Sequence, residues 1–222
     1  MTSISPNAGK GIALNIARLR VAFSEERFAR YLTAANGDEQ FAWTLYEWGL
    51  DVAAAFHVPL HAVEITLRNR MFESIARVHG RNWLTSPDRT MWLRESEIQM
   101  IDNAVRQVSR ERRSFGPGDL VAALPFGFWV GLVAGYHDQK LWRQATYRAF
   151  SGKVQRRDLY DHLDRLRTLR NRIAHHEHLL NRRLDQDLDR VDILLRSLNT
   201  EVATWVAGHS TARLVIAKRP TR

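Results

Sequence analysis

The chain has 222 residues, of which 45% are apolar, enough for one sizeable hydrophobic core. Its formal net charge of +9 favours an anionic partner such as nucleic acid over a membrane surface. The absence of cysteine excludes disulfides and thiolate metal sites and fits a cytoplasmic protein. The first residues, MTSISPNAGKG, are polar and lack an apolar core, so no secretory signal is expected.

The first half of the chain is expected to form helices separated by turn residues. Apolar residues recur there at spacings of three and four, the period of an amphipathic helix, and Gly37 and Gly80 mark two helix ends. The predicted helices are Ile12–Val21, Ser24 to about Ala35, a third starting at Asp38, Pro59–Val78 and, after a loop with a short turn near Pro87, Glu95–Arg113.

The uncharged segment Leu120–Tyr136 has 17 residues, at the lower limit for a membrane span. Pro125 and three glycines interrupt it, and such residues break a long helix more readily than they build one. We therefore expect two short helices buried in a soluble core, and no membrane contact.

The remaining segments also have helical periodicity. No period-two alternation persists anywhere in the chain, so few or no strands are expected. The predicted helices are Asp138–Phe150, a long helix beginning near Val154, and Asp185–Val206, and the tail Thr211–Arg222 is left unassigned.

The stretch LRTLRNRIAHHEHLL at Leu166–Leu180 lies in this long helical pattern. Arg170 falls at the border of its apolar stripe, where a guanidinium is costly unless something pairs with it. Asn171 and His175 are four residues apart and share a helix face, whereas Arg170 and His175 are separated by roughly 140° around the axis. One helix therefore cannot easily aim Arg170 and His175 at a single atom, unless a second helix closes a groove beside them.

These residue types suit metal-independent cleavage of RNA. That reaction needs a group of near-neutral pKa to move a proton, as histidine can, and a permanent cation for the charge on the attacked phosphate, as arginine can. Asn171 would orient either partner. The alternative is a solvated helix with ordinary Arg–Glu pairs, because short motifs often match by chance.

The phrase RNRIAHH has the form R-N-x-x-x-H and resembles the HEPN ribonuclease superfamily, in its Abi-like (abortive infection) branch. Two further phrases occur in the order found in that family, VEITLRNRMFESI at Val63–Ile75 and LPFGFWVGL at Leu124–Leu132. The resemblance extends from about Asp38 to Arg219. It implies a single all-α domain, an HEPN-type helical bundle at 38–208, with a helical extension at 1–37 and a tail at 209–222.

The resemblance also implies a function. The protein is expected to be an endoribonuclease toxin of an abortive-infection or toxin–antitoxin system, with Arg170, Asn171 and His175 in the catalytic site and no cofactor. Relatives form homodimers whose motif helices face each other, and some are held inactive by an antitoxin that can be an RNA. Two alternatives remain open, a protein that holds a structured or antitoxin RNA without cutting it, and a helical adaptor that contacts only proteins.

Glu64 is a fourth candidate catalytic residue, because it lies at the apolar border of its own helix. It has two interpretations. It pairs with Arg68 one turn along its helix, or it crosses to another helix to pair with Arg170 or to orient His175. Acidic residues of HEPN proteins often have the second role.

The remaining candidates concern metal and RNA. His175 and His178 are three residues apart, but no HExxH motif or fourth ligand accompanies them, so no metal site is predicted. The family usually has a proline at the position of His178. Basic side chains that would follow an RNA backbone, each of which is otherwise an ordinary solvated residue, are Arg172, His176, Arg110, Arg112, Arg113, Arg156 and Arg157.

Overall fold

Capping residues set several helix ends where the sequence indicates them. In the computed structural model, which describes residues 16–152 and 154–222, the Asp38 carboxylate accepts the N–H of Phe41 at 2.9 Å and caps the third helix. Gly80, with φ of 83°, ends the fourth helix in a conformation that favours glycine. Ser24 holds the N-cap position of the second helix without a side-chain hydrogen bond.

The described residues are about 75% helical and contain no strand, which confirms the all-α class and the single domain. A 3₁₀ helix covers Pro87–Met91. The α-helices are α1 Ile16–Phe23, α2 Glu25–Ala34, α3 Glu39–Ala55, α4 His57–His79, α5 Glu95–Glu111, α6 Pro117–Ala123, α7 Phe126–Gly131, α8 Arg156–Ala174, α9 Leu184–Leu198, α10 Thr200–His209 and α11 Ala212–Ala217.

Helix α4 lies at the centre of the bundle, against α3, α7, α9 and α10. Its residues Leu67, Met71 and Ile75 are each four positions apart on one helix face and are fully buried. Helix α8 packs on α7 and α9 through four buried leucines at Leu159, Leu163, Leu166 and Leu169. Complete burial of such a side chain contributes about 1.5–3 kcal/mol, so this face fixes the position of the motif helix.

The uncharged segment forms α6 and α7, two short helices separated at Pro125, as predicted. Phe128 and Trp129 of α7 are fully buried. By length and hydropathy alone, the nearly continuous helical stretch Glu39–His79 could cross a membrane. Core helices of globular proteins pass the same test, and Val52 and Val63 of this stretch are buried inside the bundle.

Several predicted helices were wrong in extent. Asp138–Phe150 is not one helix but a π-helical turn followed by a 3₁₀ turn at Thr146–Ala149. Asp185–Val206 divides at Asn199, whose side chain accepts the N–H groups of Glu201 and Val202 and caps α10. The start predicted for α1 lies outside the described residues, and the unassigned tail forms α11 against α3.

Helices α1 and α2 pack on α3 through an aromatic cluster. The rings of Trp43 and Tyr46 lie 5.3 Å apart, and Phe23 from the end of α1 lies 5.9 Å from Tyr46. Tyr31 meets Tyr46 edge-on at 5.2 Å, and burial raises the pKa of Tyr31 to about 12. Helices α1 and α2 are therefore part of the same packed body as the motif helix.

Candidate functional site

Helix α8 ends at Ala174, so the prediction that it continues to Leu180 was wrong. The N–H of Glu177 donates to the Arg172 carbonyl at 2.8 Å, and the N–H of His176 donates to the Ile173 carbonyl at 3.0 Å. This pair of hydrogen bonds is a Schellman motif, which requires a left-handed residue after the helix. His176 takes that place with φ of 56°, although glycine is usual there. His175 is thus the first residue beyond the helix.

Arg170 pairs with Glu64 across the gap between α8 and α4. Arg170 Nε lies 3.4 Å from Glu64 Oε2, with the Arg170 side chain 42% exposed and that of Glu64 23% exposed. The carboxylate therefore crosses between helices, and in the described residues Glu64 makes no ion pair with Arg68. Within the described residues Arg170 makes no hydrogen bond. The N–H groups of its guanidinium that do not face Glu64 therefore remain available to a ligand.

His175 and Arg170 point to different places in one protomer. His175 is exposed and lines a cleft that Arg170, Asn171 and Glu64 do not line. Asn171 is half-buried, and its main-chain carbonyl accepts the main-chain N–H of His175 at 2.9 Å. Arg170 therefore lies outside the cleft that His175 lines.

The cleft beside His175 has a volume of about 890 Å³ and lies between the end of α8 and helices α1, α2 and α3. Its walls combine aromatic and aliphatic side chains with charged ones. The six basic or imidazole side chains that line it are Arg27, Arg30, Arg172, His175, His176 and His178. Two acidic side chains, Glu26 and Glu177, also line it. The volume is within the range of small-molecule sites.

Two arginines hold the segment that follows α8. Arg27 of α2 donates from Nη1 to the His176 carbonyl at 2.9 Å. At the other end, Arg182 donates to both oxygens of buried Asp187, at 2.5 and 3.1 Å, and to the Arg165 carbonyl at 2.7 Å. The segment between α8 and α9, which contains the three histidines, is therefore fixed at two points. Arg27 of α2 holds its beginning, and the contacts of Arg182 hold its end.

Three arginines and two glutamates line the cleft. The pKa of His178 is lowered by burial first, and then by Arg30 and Arg172, whose charges oppose a further cation. Arg172 lies 3.7 Å from Glu177, an exposed pair that compensates it weakly. An anion entering the cleft would meet the same two guanidinium groups.

The predicted RNA-binding arginines lie in different environments. Arg156 is largely buried: its guanidinium bonds Asp138 at 3.1 Å and the Val133 carbonyl at 2.9 Å, so it supports the fold and is left out of any RNA surface. Arg112 is exposed and pairs with Asp119. The others, Arg110, Arg113 and Arg157, are exposed, and none makes an ion pair within the described ranges.

The candidate metal ligands do not assemble. Across residues 16–152 and 154–222, no group of three or more His, Asp or Glu side chains has the arrangement of a metal site. His175, His176 and Glu177 follow the end of α8 in a turn, so helical spacing no longer relates His175 to His178.

Sequence reasoning missed the α2 and α3 side of the cleft. Arg27 and Arg30 are three residues apart on one face of α2, and this basic pair could have indicated that side of the cleft.

The sequence analysis also missed a buried cluster outside the motif helix. In this cluster the Glu97 carboxylate accepts a hydrogen bond from Arg94 at 2.8 Å and contacts His137 Nε2 at 2.8 Å. Both Glu97 and His137 are buried, so this cluster belongs to the core.

Comparison with protein-family models, with curated proteins and with solved structures gives no match. Fold and site together define an all-α protein with a basic cleft at the end of a motif helix. The likeness to HEPN ribonucleases rests on the three sequence phrases alone.

Proposed function

We propose that this protein is a metal-independent endoribonuclease of the HEPN type, acting as the toxin of an abortive-infection or toxin–antitoxin system. The observation that carries the proposal is the Glu64–Arg170 pair. Glu64 holds the Arg170 cation at the surface, where Arg170 makes no hydrogen bond within the described residues, five residues from an exposed histidine. A solvated helix has no need of an inter-helix carboxylate to position one arginine.

The reaction follows from these groups. The 2′-oxygen of one nucleotide attacks the adjacent phosphorus and gives its proton to a general base, while the bond from phosphorus to the 5′-oxygen breaks and a general acid protonates that oxygen. His175 acts as the general base or acid for these proton transfers, and Arg170 stabilises the added negative charge on phosphorus. Asn171 orients the phosphate or the imidazole, and Glu64 positions Arg170. The products carry a 2′,3′-cyclic phosphate and a 5′-hydroxyl.

The proposal includes a homodimer. Because His175 lines the cleft and Arg170 lies outside it, the proposed two-fold arrangement of α8 helices would place Arg170 of one copy near His175 of the other. The cation and the imidazole would then meet at one phosphate. RNA is the proposed substrate, an antitoxin RNA is the proposed second ligand, and the cytoplasm is the proposed location.

Paired substitutions test the proposal. Arg170→Ala and His175→Ala should each lower RNA cleavage by at least about 100-fold, the usual contribution of a general acid–base or an electrostatic group. Arg165→Ala is the control, because Arg165 is exposed on the same helix and pairs only with Asp161 in the described residues. All three variants should melt near the wild-type temperature. Unchanged cleavage in either active-site variant would contradict the assignment, and RNA binding without any wild-type cleavage would favour the RNA-holding alternative.

A further inference from the structure

The cleft formed by the N-terminal helices has chemistry that the proposed cleavage site does not use. Arg170 and Glu64 lie outside it, whereas His175 lies on its edge. Its opposite wall belongs to α1, α2 and α3, outside the motif helix. A group bound in the cleft would lie next to His175, the proposed proton-transfer residue. It would lie outside the site where Arg170 is proposed to bind the attacked phosphate.

An aromatic platform forms one side of the cleft. Phe23 is 47% exposed, an unusual position for a phenylalanine. Behind it lie the rings of Trp43 at 6.4 Å and Tyr46 at 5.9 Å, so Phe23 is held by stacking rather than free to collapse inward. Exposed, supported aromatic rings are the surfaces on which single-stranded nucleic acids stack their bases.

Guanidinium groups lie on the other walls of the same cleft. Arg30 is exposed and makes no ion pair within the described residues, and Arg172 has only the distant Glu177. Arg27 is already engaged with the His176 carbonyl, so it shapes the cleft and leaves phosphate binding to the other two. The charged and the aromatic groups thus line one space that is large enough for a nucleotide.

We propose that this cleft is a base-binding subsite for single-stranded RNA: one nucleotide leaves the stack, its base lies on Phe23, and its phosphate lies between Arg30 and Arg172. The inference deepens the proposed function, on which it rests for the RNA source of the nucleotide. The subsite would select a single-stranded position next to the cleaved bond, because a paired base cannot reach the platform. A free nucleoside monophosphate has the same chemistry and is the alternative source.

Binding is tested without cleavage. A short 2′-deoxy oligonucleotide lacks the nucleophile and is not cut, and 2-aminopurine at one position reports stacking by loss of its fluorescence. Wild-type protein should quench it, and Phe23→Ala should weaken binding roughly 5- to 150-fold and abolish the quenching. Phe23→Leu keeps apolar packing against Trp43 and should also lose quenching, which separates stacking from folding. Leu214→Ala, an exposed apolar residue of α11 outside the cleft, is the control.

The phosphate contact is tested in the same assay. Arg30→Ala should weaken binding about tenfold and reduce the slope of log affinity against log salt by about one. Arg77→Ala removes an equal charge from an exposed arginine of α4 outside the cleft, and should change binding much less.

The outcomes separate the two proposals. Loss of binding in the Phe23 and Arg30 variants, with both controls normal, supports the subsite. If wild-type protein cuts no RNA but binds adenosine monophosphate with the same dependence on Phe23 and Arg30, the subsite stands and the ribonuclease proposal fails. Oligonucleotide binding that is equal in wild type and all variants, or absent for both probes in wild type, overturns the subsite.

Discussion

Arg27 and His176 are 149 positions apart in the chain, and the Arg27 guanidinium donates to the His176 carbonyl at 2.9 Å. This hydrogen bond connects the N-terminal extension to the turn that follows the motif helix. His176 is in a left-handed conformation at the same point. The extension therefore helps to define the backbone next to His175.

The left-handed turn predicts an effect on stability. His176→Gly should raise the free energy of unfolding by up to about 1 kcal/mol relative to His176→Ala, because a side chain at positive φ is strained and glycine is not. Both variants keep the carbonyl that accepts from Arg27. Urea denaturation of the two proteins gives the difference. An Ala variant more stable than the Gly variant would contradict the left-handed assignment.

Glu64 is predicted to act through Arg170. Glu64→Gln should lower kcat roughly 10- to 100-fold, because a misplaced guanidinium no longer stabilises the negative charge that develops on the attacked phosphate. RNA binding should be kept, or tightened by the cation that has lost its carboxylate. The free energy of unfolding should change by less than about 1 kcal/mol, since the pair is partly exposed. Glu73→Gln is the matched control, because Glu73 is on the same helix as Glu64 and its exposed pair is with Arg81, just after that helix. An unchanged kcat in Glu64→Gln would remove Glu64 from the site.

The buried Glu97 predicts acid sensitivity of the fold. Burial alone would raise the pKa of Glu97, but hydrogen bonds from His137 and Arg94 together outweigh it and hold that pKa below its ordinary value of 4.5. The stabilisation is therefore complete above about pH 4.5 and is lost as the pH falls through the lowered folded pKa. Melting temperatures measured from roughly pH 7 to pH 3 should fall in that window.

Glu97→Gln should lower the free energy of unfolding by about 3–5 kcal/mol and flatten that acid window, because a buried charged partner is removed. An acid profile as steep in the variant as in the wild type would assign the pH dependence to other carboxylates.

The parts of this structure that the sequence predicts are those fixed by local pattern. A helix was predicted to start at Asp38 and a break was predicted at Pro125, and the structure has both. Each residue acts on the backbone within a few positions, so the local sequence is enough to predict its effect. The Glu64–Arg170 pair was one of two interpretations of Glu64, because Glu64 and Arg170 are each a charge at an apolar helix border.

The features that the sequence hides depend on exceptions or on distant contacts. The end of α8 was missed because His176, not glycine, occupies the left-handed position. The break at Asn199 was missed because apolar periodicity continues on both sides of it. The cleft needs α2 to lie against the turn after α8, a relation that no local pattern contains.

The dimer makes a quantitative prediction. If each site takes Arg170 from one copy and His175 from the other, mixing inactive Arg170→Ala protein with inactive His175→Ala protein restores cleavage. Half of the randomly exchanged dimers are mixed, and each has one intact site of two, so about one quarter of wild-type activity should return. No recovery, in a sample in which mass spectrometry detects mixed dimers, would place Arg170 and His175 in one protomer's own site.

The ends of the RNA products test the central claim most directly. Wild-type protein in excess EDTA should cut RNA and leave a 2′,3′-cyclic phosphate and a 5′-hydroxyl, because the nucleophile is the RNA's own 2′-oxygen and the protons move through His175. The same preparation of Arg170→Ala or His175→Ala protein should leave neither end. Cleavage that stops in EDTA and returns with a divalent ion, or products with a 5′-phosphate and a 3′-hydroxyl, would contradict the account.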